Sequence, residues 1–589
     1  MEEEKKQIDY IGRESETDIW KQYNEGLNFQ RQMQFSSDFP KYERFKCGDQ
    51  WPEPTANTKS LPRPVFNIIS MFVSNKKSSV LNNNIKMIYR SNETGDNTDE
   101  ENPLAVEIRA KAVEGAEKFT NYADAVWHEL DQDKLNDDAV EDAATNGTGI
   151  FHYFWDSSVS GGEIKPYSGS LRGETIDPLN FFVANPQEED VQKQEWIIIS
   201  QRVPVAYVKN IAKANGVSNE VLQLITPDKD TSAEGYDTAT KEQDGSGKLI
   251  LLTKYYRKDG IVYFSKSTRN VTVQKDQCLT PGYEAGEKLS DNISEEMTND
   301  THHVIKRYPI ALFRWQGRKK CIFGRGEVEG IIPNQKVINF TIAMMALSTQ
   351  DTGWPKVIVK PGALQQKITN RPGEVLVDHY TSGDGIKYLN SATFNYGAIN
   401  LVDKIMDLSR TTSGVTEVST GETLGANMAA SAIIALQNQA KLPIDNIQKR
   451  FYRTIKDIGY IWEEFFKTYY DSERLMVINR FDGQQTVSGF TGTAYANIDF
   501  SLKVDVGAGS IYSESLGQTT LDKMYDKGDI SVDQYIELSP DNVMPFKATL
   551  KQMRAIQAQQ MQEQQVQQVQ QAQQMPQGGM PNNEMSNMQ

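Results

Sequence analysis

The most regular apolar pattern in the chain lies between residues 447 and 469. Apolar side chains recur there at steps of three and four residues, which is the spacing of one helical face. They are Ile447, Phe451, Ile455, Ile458, Trp462, Phe465 and Tyr469. The pattern predicts a helix of about six turns, whose buried face would contribute on the order of 10 kcal/mol before ordering entropy is subtracted. Such a stripe is typical of a protein core or of a subunit interface.

Weaker helical spacing occurs in several other segments. The predicted helices span about 65–80, 104–130, 134–145, 205–214, 327–347 and 428–440. The first contains Val65, Ile68, Ile69, Phe72 and Val80 on one face. Asn146-Gly147 provides a left-handed cap for the helix that ends at 145.

Strands are predicted where β-branched and aromatic residues cluster. The run 150–155 is too aromatic for a surface helix and indicates a buried strand. Further strands are predicted at 195–202, 249–257, 261–265 and 354–360. Because helices and strands do not alternate regularly, the expected fold class is α+β, and 589 residues imply several packed units.

Net charge limits the functions open to the chain. A protein that grips nucleic acid by releasing counterions is usually basic, whereas the formal net charge here is -16. Tight static DNA binding is therefore disfavoured. The negative charge is still compatible with a channel wall along which DNA slides, because like charges offer the DNA no local binding sites that would stop its movement.

Location signals are few. No apolar run reaches the ~18 residues that a membrane span needs, and the first residues lack the apolar segment of a signal peptide. We therefore expect no membrane association and no export. Cys47, Cys278 and Cys321 are too widely separated to suggest a disulfide framework or a zinc site.

Four segments are candidate sites of chemistry, and each lacks a required part. Residues 244–249 lack the first glycine and the hydroxyl of a phosphate-binding loop, and 324–330 miss dinucleotide spacing by one residue. His302-His303 has no third ligand at metal spacing, and 131–138 lack the turn glycine of a calcium loop. The sequence therefore predicts a structural protein with no catalytic, metal or cofactor site.

The C-terminal region is mostly glutamine. Between 551 and 574 the few apolar residues form a stripe too thin for a stable isolated helix. Two interpretations remain open: a helix that stands in a barrel of several copies, or a disordered tail. Residues after Pro576 are predicted to be disordered.

Several motifs in a fixed order resemble portal proteins from tailed double-stranded DNA phages. The first is Gly48-Asp-Gln-Trp51 followed by Arg63-Pro-Val-Phe-Asn67. The others are a helix ending in Gly147-Thr-Gly149, Ile176-Asp-Pro178, Tyr308-Pro-Ile310, Gly324-Arg-Gly-Glu327 with Gln335 and Asn339, and the stretch 413–433. Val183-Ala-Asn-Pro186 departs from the Asp-Pro that many relatives have, which leaves the subfamily open.

The resemblance implies a ring subunit, typically one of twelve, with wing, stem, clip and crown around a DNA channel. Mapped by order, the expected regions are an N-terminal arm, 1–40; wing, 41–200 and 351–410; a first stem helix region, 201–245; clip, 246–320; a second stem helix, 321–350; tunnel loop, 411–427; channel helix and crown, 428–545; a barrel-like Gln-rich helix, 546–575; and a disordered tail, 576–589.

The resemblance also implies particular sites and partners. The tunnel loop would face DNA through Thr416, Glu417, Ser419, Thr420, Glu422, Thr423 and Asn427, and the subunit interface or crown would include Phe451, Ile455, Ile458, Trp462, Phe465 and Tyr469. Expected partners are further copies, the major capsid protein, the terminase large subunit, head-completion or tail adaptor proteins, and double-stranded DNA without sequence specificity. The expected location is the portal vertex of the virion, reached from the host cytoplasm during assembly.

Two other classes compete with this interpretation. One is another virion component such as a scaffold, although the aromatic strands argue for a globular core. The other is an enzyme, a hydrolase or nuclease, whose site is dispersed along the chain; a nuclease would be active on duplex DNA with Mg²⁺ or Mn²⁺.

Overall fold

A computed structural model describes residues 16–91, 103–162, 165–228, 247–282, 303–353, 357–364, 377, 379, 385–388, 397–414, 430–479, 485–506, 511–539, 550 and 553–554. The chain divides into two units. The first comprises residues 1–472 and 491–505, and the second comprises 473–490 and 506–589.

The segments predicted as helices contain helices in the same order, and the described residues include further helices that were not predicted. They are α1 (Asp18–Gln32), α2 (Phe35–Lys46), α3 (Ile68–Leu81), α4 (Pro103–Glu129), α5 (Gln132–Asn146), α6 (Val205–Ala214), α7 (Asn219–Leu222), α8 (Val328–Gly353), α9 (Gly397–Ser413), α10 (Ala430–Tyr469), α11 (Ile511–Lys527) and α12 (Val532–Leu538). The predicted cap at Gly147 is confirmed, since this residue has φ 101°.

The strands form small sheets. They are β1 (Ile85–Ser91), β2 (Thr148–Gly161), β3 (Tyr167–Ile176), β4 (Phe181–Val183), β5 (Trp196–Pro204), β6 (Lys248–Lys258), β7 (Ile261–Ser267), β8 (Thr272–Cys278), β9 (Ile310–Arg314), β10 (Val357–Val359), β11 (Ile386–Tyr388), β12 (Arg474–Asn479), β13 (Gln485–Phe490) and β14 (Phe500–Val506). The mixture of helices and sheets is compatible with the expected α+β class.

The largest sheet has the strand order β4-β5-β6-β7-β8 and is antiparallel throughout. Successive residues of β6 point to opposite faces: Leu249 and Leu251 pack with α6 and α7, and Ile250 and Leu252 pack with α1. Each face is thus covered by helix, which explains why β6 is apolar at consecutive positions rather than at alternate ones.

This sheet crosses the boundaries that were expected between regions. Strand β5 begins in the stretch expected as wing and ends in the expected first stem helix region, and it pairs along its whole length with β6, which was expected in the clip. Helix α6, expected in the stem, packs on the same sheet. The expected boundaries at 200 and 245 therefore do not separate packed units, because strand pairing and side-chain packing cross both.

A second antiparallel sheet, with the order β3-β2-β9, contacts helix α10. The hydroxyl of Thr454 donates to the Leu312 carbonyl of β9 at 2.9 Å, and the ring of Phe451 packs edge-on against Phe313. From the other side, the ring of Phe466 packs against Phe119 of α4. Helix α10 is therefore the centre of the first unit.

Three helix boundaries differ from those predicted. Val65 and Phe66 precede the helix and are exposed, since the Asn67 side chain caps α3 by accepting a hydrogen bond from the Ser70 amide. Helix α9 continues to Ser413, past the expected loop start at 411, and the Thr411 hydroxyl donates to the Asp407 carbonyl within the helix. The helices predicted at 428–440 and between 447 and 469 are parts of one helix that contains Pro443.

Helices α8 and α9 pack against each other and are joined by residues 354–396. The Asn334 side chain, near the start of α8, donates to the Ser409 hydroxyl, near the end of α9, at 2.9 Å. The two helices therefore run antiparallel. Of the connecting residues, β10 and β11 form an antiparallel pair.

The second unit contains the antiparallel pair β12–β13 and helices α11 and α12. Helix α12 begins with a capping box, in which the Ser531 hydroxyl accepts from the Gln534 amide and the Gln534 side chain accepts from the Ser531 amide. The hydroxyl of Tyr535 then bonds Asp522 of α11, which joins the two helices.

Candidate functional site

The motifs that are distant in sequence meet at the start of α8. The Gln335 side chain donates to the Phe66 carbonyl at 2.7 Å and accepts from the Ile68 amide at 2.9 Å. The Asn339 side chain donates to the Gln50 side chain at 2.6 Å and accepts from Gln335 at 2.9 Å. Each amide group satisfies both a donor and an acceptor, so α8 is bound to two segments almost 300 residues earlier.

Asn67 extends the same group of amides. Its side-chain oxygen accepts from Gln50 at 3.1 Å, and its nitrogen donates to the Lys46 carbonyl at 2.8 Å. We call Gln50, Asn67, Gln335 and Asn339 the amide network. Buried polar groups that are fully bonded to one another specify one arrangement of the elements they join, because any other arrangement would leave some unpaired. The network thus sets the direction in which α8 leaves the core.

The two glycine motifs also meet here. The Gly324 amide donates to the Thr148 hydroxyl at 2.8 Å. A Cβ at Gly324 would overlap the Gly147 carbonyl, and a Cβ at Gly326 would overlap the Thr145 carbonyl. Glycine is therefore needed at 324 and 326 for close backbone approach rather than for binding a phosphate.

A buried ion pair adjoins the glycine contact. Lys76 of α3 lies 2.6 Å from a carboxylate oxygen of Glu327, and the Trp315 indole donates to the other oxygen at 3.2 Å. The Glu327 amide donates to the Ala144 carbonyl at 2.7 Å. Since both charges are buried, loss of either partner would leave an uncompensated charge in the core. The pair therefore fixes the start of α8 to α3 and α5.

Further charges bind α2 and α3 to α5. Glu141 accepts from Lys46 at 2.8 Å and from Lys77 at 2.6 Å, and Lys77 also contacts Asp137 at 2.7 Å. Burial opposes ionisation of Glu141, but the hydrogen bonds from the two lysines outweigh it and lower the pKa of this carboxyl to about 2. For the neighbouring Asp142, burial, with Asp177 and Glu43 nearby, outweighs the attraction of Lys46 and raises the pKa to about 8.

One constellation resembles a catalytic triad in composition. His152 bonds Glu174 through Nδ1 at 2.9 Å and the Tyr255 hydroxyl through Nε2 at 2.8 Å. Both ring nitrogens are thereby used, the imidazole is buried, and the three residues join the two larger sheets. The arrangement fits a structural contact between sheets.

Among the described residues, no group of three or more His, Cys, Asp or Glu side chains is placed to hold a metal ion. A search of the same residues for a helix long and apolar enough to cross a membrane finds none. The contacts at the start of α8 join backbone to backbone and amide to amide. Their chemistry is suited to holding elements in position.

The predicted site residues fall in two places. The DNA-facing residues Thr416, Glu417, Ser419, Thr420, Glu422, Thr423 and Asn427 lie outside the described part of the chain, as does nearly all of the Gln-rich region. Phe451, Ile455, Ile458, Trp462 and Phe465 are buried in the core around α10, and Tyr469 stacks on Trp155. Burial within one chain accounts for this stripe without a neighbouring subunit, and its role at an interface or crown stays a prediction.

A comparison with protein families matches residues 21–510 to the Phage P22-like portal protein family. The chain belongs to this family. The match spans most of the sequence and includes the amide network, the glycine contact and the buried ion pair. A search of curated proteins finds no match.

As a P22-like phage portal protein, the chain is a structural subunit of the virion, placed at the capsid vertex and serving DNA packaging and the connection of head to tail. The family is structural rather than enzymatic, and its members form oligomeric rings that meet capsid and terminase. The interpretation of the motifs as those of a portal protein is therefore confirmed.

Sequence reasoning missed part of this site. Lys76 occupies an otherwise apolar helical face, and a charge at such a position is a signal for a buried partner. Gln50 and Asn67 were noted only as motif positions. Their hydrogen-bond partners depend on chain crossings that local spacing does not reveal.

Proposed function

We propose that the chain assembles into a ring of twelve that forms the channel for double-stranded DNA. The ring would dock the packaging terminase first and head-completion or tail adaptor proteins later, and so serve genome packaging, retention and ejection. The family match over 21–510 is the observation that carries the proposal. The net charge of -16 supports it, since an acidic channel offers DNA no binding wells.

Within the subunit, we propose α8 and α9 as the two stem helices, in place of the region 201–245. They are antiparallel, α8 starts at the amide network, and α9 ends beside the start of α8. The connecting segment 354–396 is then the clip, which meets motor and adaptors. Residues 411–427 remain the proposed tunnel loop, 428–545 the channel helix and crown, and 546–575 the barrel.

Electron microscopy of the purified chain, with mass from light scattering, tests the ring. Rings with a central hole and a mass near twelve subunits are expected. A compact dimer or tetramer without a hole would contradict the proposal and favour an enzyme.

The channel assignment has a separate test. Glu417→Lys together with Glu422→Lys would place positive charge beside the DNA backbone and is expected to impede genome retention or ejection. Normal packaging and infectivity of phage carrying both substitutions would contradict the placement of 411–427 at the channel.

A further inference from the structure

The helix pair α8–α9 exposes large apolar side chains along its length. Val337, Phe340 and Met344 of α8 are 44%, 61% and 55% exposed, and Leu401 and Leu408 of α9 are 48% and 54% exposed. Apolar side chains that follow one another along a surface mark an interaction site more often than isolated ones do.

These five side chains lie on one side of the pair. The Asn334–Ser409 hydrogen bond marks the line along which the two helices face each other. At about 100° per residue, Val337, Phe340 and Met344 project roughly 60–120° to one side of that line. Leu401 and Leu408 project roughly 80–100° from it on α9. Because the helices are antiparallel, both rotations lead to the same side, which we call the front face.

The opposite side of the pair is also apolar. Ile399 of α9 is 40% exposed, and Ile342 and Met406, which project to the same side by the same rotation, are half-buried. We call these three residues the back face. Met344 and Ile399 are each ten residues from the Asn334–Ser409 contact, so they lie at one level, about 15 Å along the pair.

Charge distinguishes the two sides as well. Lys404 and Asp403 are both exposed and are adjacent in α9. By the same rotation, Lys404 borders the front face and Asp403 borders the back face. If the front face of one copy is placed against the back face of another, Lys404 of the first therefore lies opposite Asp403 of the second.

We propose that the front face of one subunit packs on the back face of the next subunit in the ring. The inference rests on the proposed function, because a closed ring of identical copies brings two different faces together at every junction. Neighbouring subunits of a ring are related by rotation about the ring axis, which does not change the position of a residue along that axis. When α8 and α9 lie parallel to the axis, residues at one level in one copy therefore face residues at the same level in the next. Met344 of one copy then meets Ile399 of the next.

Engineered cysteines test this contact directly. The full chain with Cys47→Ser receives Met344→Cys and Ile399→Cys, is assembled, and is then oxidised. The expected product in denaturing electrophoresis under non-reducing conditions is a ladder of covalent multimers that reaches the ring size. Each single cysteine variant is expected to run as the monomer, because front meets back and neither meets itself.

The outcomes separate the two proposals. Rings without a ladder, or covalent dimers from Met344→Cys alone, would overturn the front-to-back contact and leave the portal ring standing. A wild-type chain that makes no ring would overturn the proposed function and this interface together.

A matched pair of substitutions provides a second test. Val337→Glu places a charge in the front face, whereas Val113→Glu places the same charge at a similarly exposed site on α4. Val337→Glu is expected to raise the concentration needed for half-assembly at least tenfold, with circular dichroism unchanged, and Val113→Glu to leave it at the wild-type value. Equal assembly of the two variants would overturn the proposal.

Discussion

Helix α10 and the helix pair α8–α9 both carry apolar stripes at helical spacing, but the two stripes differ in burial. In α10 the stripe is enclosed by rings from α4, β2 and β9, such as Phe119, Tyr153 and Phe313. In α8 and α9 the front face is half-exposed. The more regular stripe, which was expected at a subunit interface, is thus the core of one chain, and the less regular one is available to a neighbour.

The difference shows what helical spacing measures. Spacing identifies the residues that share a face, because it depends only on the 3.6-residue turn. What covers that face depends on elements distant in sequence, and α10 has such elements around its apolar face. A residue-by-residue test of burial therefore distinguishes a core stripe from an interface stripe.

The largest expected effect compares one residue from each stripe. Trp462→Ala should lower the free energy of unfolding by ~3–5 kcal/mol, because it leaves a cavity between Tyr153 and Trp127. Phe340→Ala should change it by less than ~0.5 kcal/mol in the unassembled chain. Denaturant unfolding at a concentration below assembly measures both. Similar losses for the two variants would contradict the division into core and interface.

The buried ion pair sharpens the comparison at the start of α8. Lys76→Met should cost ~3–5 kcal/mol, since Glu327 would remain charged in the core. Adding Glu327→Gln should recover most of that loss, because the uncompensated charge is removed and Trp315 keeps an acceptor. Lys213→Met, at an exposed site on α6, is the control and should be neutral. A double variant no more stable than Lys76→Met would argue against this account.

A smaller effect is expected in the amide network. Gln335→Leu should lower the free energy of unfolding by ~1–3 kcal/mol, because the Ile68 amide and the Phe66 carbonyl lose their partner. Gln350→Leu, on an exposed part of the same helix, should change it by less than ~0.5 kcal/mol. If the two variants unfold alike, the network does not hold α8.

The smallest effect depends on pH. Asp142, whose pKa is raised from 3.8 to about 8, keeps its proton in the folded chain where the unfolded chain has lost it. Its contribution to stability is complete below pH 3.8 and is lost as the pH rises toward 8. Asp142→Asn should equal wild type at pH 4 and exceed it by ~1 kcal/mol at pH 8, the figure being reduced for partial exposure.

The control for this measurement is Asp259→Asn in the exposed turn between β6 and β7. It should leave the pH dependence of unfolding unchanged. An Asp142→Asn variant whose stability declines with pH as steeply as that of wild type would exclude Asp142 as the source.

Much of the fold follows from local pattern. The bounds of α6 were predicted residue for residue, and those of β6 and β7 within two, because each combines a regular apolar repeat with clear ends. The sheet order was not predictable, since the pairing of β2 with β9 joins residues about 160 apart. At the site, Gln335 and Asn339 were identified by resemblance, whereas their partners Gln50 and Phe66 depend on that long-range packing.

The amide network has a consequence for how the chain is made. Gln50 leaves the ribosome long before Asn339, so its side-chain oxygen lacks the Asn339 donor until more than half of the polypeptide has been synthesised. Contacts between residues so far apart in sequence slow folding, because the chain loses loop-closure entropy before the hydrogen bonds that stabilise the contact can form. The start of α8 should therefore be among the last parts of the first unit to form, and newly made subunits would acquire a competent helix pair only when translation is well advanced.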